Sequence, residues 1–306
     1  NLAVSAEKMH HGHSDEGSFV ALVCNDTLLL HDGGYREDPP DGLYRGDRFH
    51  NRLVWRPTLG LPGDDIWNHL ADNGFYHAVR TERLYQTRLL DAQFTRVRTL
   101  DETQKLIWDR SVVFFPDLPA WLVIDSALAL APAQRTLSQL WWTRQILDQG
   151  PDWLETWIDQ AQNWKNTPGT RLRILQPAIP GQHTPLSTHS TRRNFQEEKV
   201  IISAWRGHHL PGRTVNFVSL LWPHRDDAHE FPEVSVLASQ PEGRGIAIRL
   251  AWQGSERQIS TLNDLTSGYI QEDIRPRYTF AQGRCEYGPV TSDAAFTYVL
   301  REGGRN

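Results

Sequence analysis

The sequence predicts an all-β chain, a large antiparallel multi-stranded β-sandwich with few short helices. Three observations carry that prediction. Short runs rich in Val, Ile, Thr, Trp, Tyr and Phe recur at close, regular spacing, bounded by Gly, Pro, Asn and Asp. More than ten such runs are present, the density expected of a sandwich. The chain also carries 12 Trp, large rings that suit wide sheet-on-sheet cores and sugar-stacking surfaces.

The runs follow in order. Ser18 to Cys24 and Thr27 to His31 are split by Asn25-Asp26, a turn pair that reads as a hairpin. A third strand begins near Phe49-His50-Asn51. Arg83 to Leu100 alternates roughly, with Tyr85, Leu89, Phe94 and Val97 among polar neighbours, and reads as one long strand. Lys105 to Phe115, Ala120 to Leu130 and Thr136 to Ile146 come next. Later runs are Arg171 to Pro177, Lys199 to Trp205, Thr214 to Trp222, Glu233 to Ser239, Gly245 to Trp252 and Ala294 to Leu300. One stretch has helical spacing: Trp153, Trp157, Ala161 and Trp164 share one helical face within Asp152 to Trp164. Asp38 to Gly46 and Arg56 to Asp65 are rich in Pro and Gly and read as loops. Ile179 to Arg193 is polar and reads as a linker. One extended β domain over residues 1–306, with a sub-boundary possible near 180–195, is the simplest organisation.

Length and charge narrow the function. A chain of 306 residues buries a sizeable core without disulfide staples. A formal net charge of −5 argues against a nucleic-acid binder that works by bulk phosphate attraction. No apolar stretch approaches the roughly 18 residues of a membrane helix. The chain opens at Asn1 and its one methionine is Met9, so it reads as a segment of a longer protein. Lysines are confined to Lys8, Lys105, Lys165 and Lys199; the other basic residues are arginines, planar forks suited to carboxylates. Cys24 and Cys285 make no disulfide framework.

Histidines concentrate at the start: His10, His11, His13, His31 and His50 fall within the first fifty residues. His11 and His13 are two apart, so on a strand both rings project from one face. A hairpin around Asn25-Asp26 brings His13 near Asp32 at its open end, and the third strand begins at His50. His13, Asp32 and His50, two neutral imidazoles and a carboxylate, are a plausible zinc set. A disordered start and an ordinary Asp32-Gly33-Gly34 turn are the alternative. Arg45, Arg48 and Arg52 lie close to His50 and could hold acidic sugars by bidentate contacts, or pair with Asp41 and Asp47. Tyr35 and Tyr44, in the loop between the ligand-bearing strands, could enter a cleft as acid/base or stacking groups, or pack on a sheet edge. His208, His209, His224 and His229 read as solvated loop histidines. There is no G-x-S-x-G elbow, no P-loop and no GxGxxG after a strand.

In combination, HGHSDEGSF (His11 to Phe19), HDGGY (His31 to Tyr35) and RFHNRLVW (Arg48 to Trp55) resemble the heparinase II/III-like family of polysaccharide lyases. The arginine-bearing strand at Asp109-Arg110-Ser111 and the strand ending at Asp125 extend the resemblance, which covers about residues 9–130. Asn216 to Pro223 also looks like a late strand of that sandwich. The resemblance implies an N-terminal (α/α) toroid, which this chain lacks, followed by a C-terminal β-sandwich matching residues 1–306. It implies zinc held by His13, Asp32 and His50, and a catalytic role for His11 near the substrate. Arg52 departs from the Thr that many relatives carry after His-Asn. The implied reaction is β-elimination on a uronic-acid-containing polysaccharide, with Arg48, Arg52, Tyr35 and Tyr44 as substrate contacts, in the periplasm or outside the cell. The alternatives are a non-catalytic module that binds acidic glycans or packs on a partner, and a free-standing metalloenzyme of sandwich type.

Overall fold

The structure is a computed structural model that describes residues 15–32, 46–58, 65–70, 79–89, 91–161, 164–166, 169–193, 196–240, 243–263 and 284–302. It is an all-β, sandwich-like fold. In chain order, β1 (Ala21–Cys24) and β2 (Thr27–His31) form the first hairpin, and β3 (Leu53–Pro57) follows a single 3-10 turn at Asp47–Phe49. A short helix α1 (Ile66–Leu70) precedes β4 (Val79–Arg88), β5 (Gln93–Asp101), β6 (Leu106–Phe115), β7 (Ala120–Ala129), β8 (Ala133–Thr143) and β9 (Gln145–Gln149). Then come β10 (Trp153–Trp157), β11 (Gln160–Ala161), β12 (Trp164–Lys165), β13 (Thr170–Leu175), β14 (Leu186–Arg193), β15 (Gln196–His209) and β16 (Thr214–Arg225). The chain closes with β17 (Glu233–Leu237), β18 (Ser239–Gln240), β19 (Gly245–Trp252), β20 (Ser255–Leu262), β21 (Cys285–Tyr287), β22 (Val290–Ser292) and β23 (Phe296–Glu302).

The strands build three main layers. The central sheet has eight strands in the order β4-β5-β6-β7-β16-β13-β10-β9. One face packs on the sheet β14-β15-β8-β3, the other on β17-β19-β20-β23. Strand alternation explains how one sheet serves two cores. Val123 and Ala127 of β7 and Phe217 and Leu221 of β16 meet Trp55, Leu137, Trp141 and Ile201 on the first side. Leu122 and Ile124 with Val218 and Leu220 meet Ile246, Ile248 and Ile259 on the second. Helix α1 covers the outer face of β8 and β15, where Trp67 packs with Phe49, Trp142 and Val200. Buried on both faces, the central strands read as continuous apolar runs, which is why they stand out in the sequence.

Three expectations need correction. Asp152 to Trp164 is not helical: it holds β10, β11 and β12. The Trp153, Trp157, Ala161 spacing is a multiple of four, and even spacings also lie on one face of a strand, so it could not decide between the two periods. Leu154 faces the β2 core while Trp153 faces away. Arg83 to Leu100 is a hairpin rather than one strand, with β4 and β5 joined through the bond from Leu89 N to Ala92 O (2.8 Å). The stretch read as a linker contains β14, which pairs with β15 from Leu186 opposite Ser203 to Arg193 opposite Gln196. Its polar sequence fits an edge strand, where charge blunts edge-to-edge pairing. Cys24 and Cys285 are both free thiols.

Candidate functional site

The β1–β2 hairpin turns at Asn25 and Asp26, both in the left-handed region (φ 49° and 57°), as a tight two-residue hairpin requires. It delivers Asp32 to the position just beyond β2. Asp32 N donates to Val20 O (2.9 Å), and Phe19 N donates to Asn51 O (3.1 Å), so the segments bearing Asp32 and His50 are stitched to the same stretch. His50 leaves the 3-10 turn in extended conformation.

The two described members of the predicted trio meet. His50 Nδ1 and Asp32 Oδ1 lie 2.7 Å apart, and Ser18 Oγ donates to Asp32 Oδ2 at 3.4 Å. His50 is buried. Burial alone would lower its pKa; the charge and hydrogen bond of Asp32, helped by Asp15, outweigh this and raise it. Next to the pair, His31 Nε2 lies 3.5 Å from the buried carboxylate of Glu198. His11, His13, Tyr35, Tyr44, Arg45 and Asp41 lie outside the described residues. Among the described residues no group of three or more His, Cys, Asp or Glu is placed to hold a metal. An imidazole nitrogen and a carboxylate oxygen are donor types that zinc accepts, and here the two are hydrogen-bonded to each other.

The arginines are placed differently from simple substrate forks. Arg52 is buried, its Nη1 donating to Glu16 Oε2 (3.2 Å) and its guanidinium lying over Trp108 and Trp55 (5.0 and 5.4 Å to the ring centres). Arg48 donates to Trp67 O (3.3 Å) and covers the Trp67 ring at 4.5 Å. Asp47 is held by Arg56, through bonds of 2.8 and 2.6 Å.

Beneath the pair lies a polar scaffold whose function sequence reasoning did not assign. Asn51 donates from Nδ2 to Phe19 O (2.8 Å) and His31 O (2.9 Å), and accepts from Trp142 N at 2.6 Å. One fully buried amide therefore ties three segments together. Arg110 donates from Nη1 to Gly17 O (2.9 Å) and Asn51 O (2.7 Å), and grips Asp125 with Nε and Nη2, both at 2.7 Å. Gly17 sits at φ 71°, and a methyl group there would come within 2.8 Å of Trp108. The available signal was chemical: a polar Asn-Arg pair inside an apolar strand start, and an Arg and an Asp inside apolar runs, each costly to bury unless paired.

Replacing Asn51 tests this scaffold. Asn51→Ala is expected to cost about 3 kcal/mol, since hydrogen bonds broken at a buried site leave desolvated groups behind. Asn51→Asp should be as damaging, because a carboxylate accepts from Trp142 N but cannot donate to the two carbonyls. Thermal unfolding of both variants checks this; a neutral Asn51→Asp would refute it.

Of the four histidines expected in solvent, His208 and His229 are exposed, whereas His209 and His224 are buried. His209 ends β15 with Nε2 3.1 Å from Arg213 O, and burial, with Arg135 nearby, pushes its pKa down to about 4. His224 Nε2 lies 3.4 Å from Glu155 in the interior. Long strands running past the Gly and Pro signals carry both rings inside.

No family model matches the chain, and no curated protein matches it in sequence. Solved structures do match in fold. The heparan sulfate lyase HepC from Pedobacter heparinus aligns with a TM-score of 0.57 at 16% identity over 85% of this chain and 38% of that one. A mutant of the same enzyme aligns at 0.61 and 17% identity, with the same coverage. A heparinase III, the BT4657 gene product, aligns at 0.61 and 12% identity over 85% of this chain and 38% of its own. The chain thus spans well under half the length of the structures it resembles, and it shares with heparinase-type lyases a distantly related β-sandwich fold.

Proposed function

We propose that this chain is the β-sandwich portion of a polysaccharide lyase of heparinase type, acting by β-elimination on a uronic-acid-containing polysaccharide. The observation that carries the proposal is the 2.7 Å convergence of His50 and Asp32 at the open end of the β1–β2 hairpin, within a fold like that of the heparin-type lyases. In this reading His13 joins Asp32 and His50 as zinc ligands. Bound there, zinc would supply a fixed positive charge that ties the ligand segments together and orients His11. A toroid domain of the full-length protein would form the other wall of the cleft.

The chemistry asks for three things: a base for the C5 proton, charge neutralisation of the carboxylate, and an acid for the departing O4. His11 is assigned to move a proton at the reacting sugar. Arg52 acts from behind, holding Glu16 and the segment that leads into the site, and Arg48 holds α1 against the 3-10 turn. Tyr35 and Tyr44 remain the candidates for direct sugar contact. A non-catalytic glycan-binding or packing module is the competing outcome.

Elemental analysis of the purified chain tests the proposal. Near-stoichiometric zinc is expected, lost in Asp32→Ala and His13→Ala and kept in His11→Ala. In the full-length protein His11→Ala should abolish formation of unsaturated uronate while leaving zinc in place. Folded, freshly purified protein without metal would overturn the metal site. Full activity of His11→Ala would overturn its role.

A further inference from the structure

A second site lies on the far face of the central sheet. Leu154, Leu172 and Ile174 of β10 and β13 face the core that contains Phe19 and Leu30, the segments of the His50–Asp32 site. Their alternate neighbours Trp153, Arg173 and Leu175 turn the other way and line a cleft of about 510 Å³ against edge strand β17 and the segment before it. That volume falls within the roughly 300–1,000 Å³ typical of small-molecule sites.

Its inner wall is rigid. The Arg173 guanidinium lies 3.9 Å from the Trp153 ring centre and 3.3 Å from that of Phe231, and its Nη2 donates to Glu155 Oε2 at 2.8 Å. Glu155 is also held by Arg171 (2.9 Å) and faces His224, so the stack is anchored from behind. Gly150 fixes the indole: a methyl group there would lie 2.2 Å from Trp153 Nε1. Groups held this way bind without losing side-chain freedom, which favours affinity.

The charges choose the ligand. Arg173 pairs with Glu155 and Arg249 with Glu256, whose Oε2 accepts from Arg249 Nε at 2.6 Å, and each glutamate is shared with a second arginine, Arg171 and Arg301. The other charged lining groups are Asp152 and Glu233, both exposed acceptors, beside the Ser235 hydroxyl. The charges around the cleft balance, four arginines against Glu155, Glu256, Asp152 and Glu233, so an anion gains no net attraction to offset the loss of its hydration. Rigid apolar walls with hydroxyl acceptors suit a ring that has an apolar C–H face and an edge of hydroxyl groups. We propose that this cleft is a second ligand site that takes one uncharged pyranose unit of a glycan. The proposal does not rest on the zinc site or on lyase activity.

A matched pair of probes tests it: methyl β-glucoside and methyl β-glucuronide, the same ring without and with a carboxylate. Binding is read by saturation-transfer NMR and titration of tryptophan fluorescence on the whole chain, with methyl galactoside and methyl N-acetylglucosaminide alongside. At least one neutral glycoside should bind in the millimolar range, and the glucuronide about tenfold more weakly than the glucoside or worse, a difference of about 1.4 kcal/mol. Ser235→Trp fills the cleft from an exposed strand position and should abolish binding with unfolding temperature and zinc content unchanged. Phe231→Ala should weaken binding. No binding of any neutral glycoside would overturn the proposal. So would binding that survives Ser235→Trp, a glucuronide that binds as well as the glucoside, or displacement of the glucoside by equimolar tetramethylammonium, which would mark an amine site.

Discussion

Asp125→Ala is expected to destabilise the chain by about 4 kcal/mol, the usual cost of removing one partner of a buried ion pair. The carboxylate accepts four hydrogen bonds: two from Arg110, one from Trp108 Nε1 (2.8 Å) and one from Gln139 Nε2 (2.7 Å). Both partners of the ion pair are 1% exposed or less. Removing Asp125 strands a guanidinium in the interior and leaves two further donors without this acceptor. The effect should reach the site, because Arg110 also holds Gly17 O and Asn51 O, the backbone on either side of the His50–Asp32 pair. The unfolding temperature should therefore fall on the order of 10 °C. Asp125→Asn keeps the shape and part of the hydrogen bonding, and should fall between wild type and Asp125→Ala. Thermal unfolding followed through tryptophan fluorescence reads both variants. An Asp125→Ala chain as stable as wild type would refute the assigned role.

The second large effect belongs to Asp109, which lies on the opposite face of the same sheet. It is gripped by Arg98 (Nε and Nη2, both 2.7 Å) and by Arg96 (Nε, 3.1 Å), and Arg96 in turn donates to Leu262 O at 2.7 Å. This cluster ties the central sheet to the end of β20. Burial would raise the Asp109 pKa, but the two guanidiniums override it and hold the carboxyl at about 2, below its ordinary 3.8. A depressed carboxylate stabilises the folded state above its unfolded pKa and loses that contribution as pH falls through the folded value. The contribution, about 2 kcal/mol, should thus be fully present at neutral pH and disappear between about pH 4 and pH 2. Asp109→Asn removes it and leaves two buried arginines facing an amide, so the variant should be several kcal/mol less stable at pH 7. The gap between wild type and variant should narrow as pH is lowered across that window. Denaturant unfolding at pH 7, 4 and 2.5 checks this, and a gap that stays constant would overturn the assignment.

Much of the fold was legible because its strands are buried on two faces. Val123 and Ile124, or Leu220 and Leu221, each face a different core, and such strands show as unbroken apolar runs between turn residues. The hairpin at Asn25-Asp26 was readable for a local reason, since few residues accept its left-handed backbone. The hairpin at 89–92 was not, because alternation continues through both arms and conceals the reversal. Polar edge strand β14 was missed because, among the described residues, one of its flanks has no strand to face, and its residues obey solubility rather than core packing.

The same division holds for the site. Composition and local pattern were enough to mark the chain as a large antiparallel β protein and to bring Asp32 and His50, chosen with His13 as a zinc set, to one place, since both follow from a hairpin and the strand after it. Tertiary structure alone decided what surrounds them. The pairing of Arg110 with Asp125, the reach of Asn51 to Trp142 and the stacking of Arg173 between Trp153 and Phe231 join residues 15 to 91 positions apart. Such contacts depend on strand order and on which face each side chain takes, and neither is written in any local stretch of sequence. Buried charge gave the one local hint, because an Arg or Asp within an apolar strand must find its partner elsewhere in the fold.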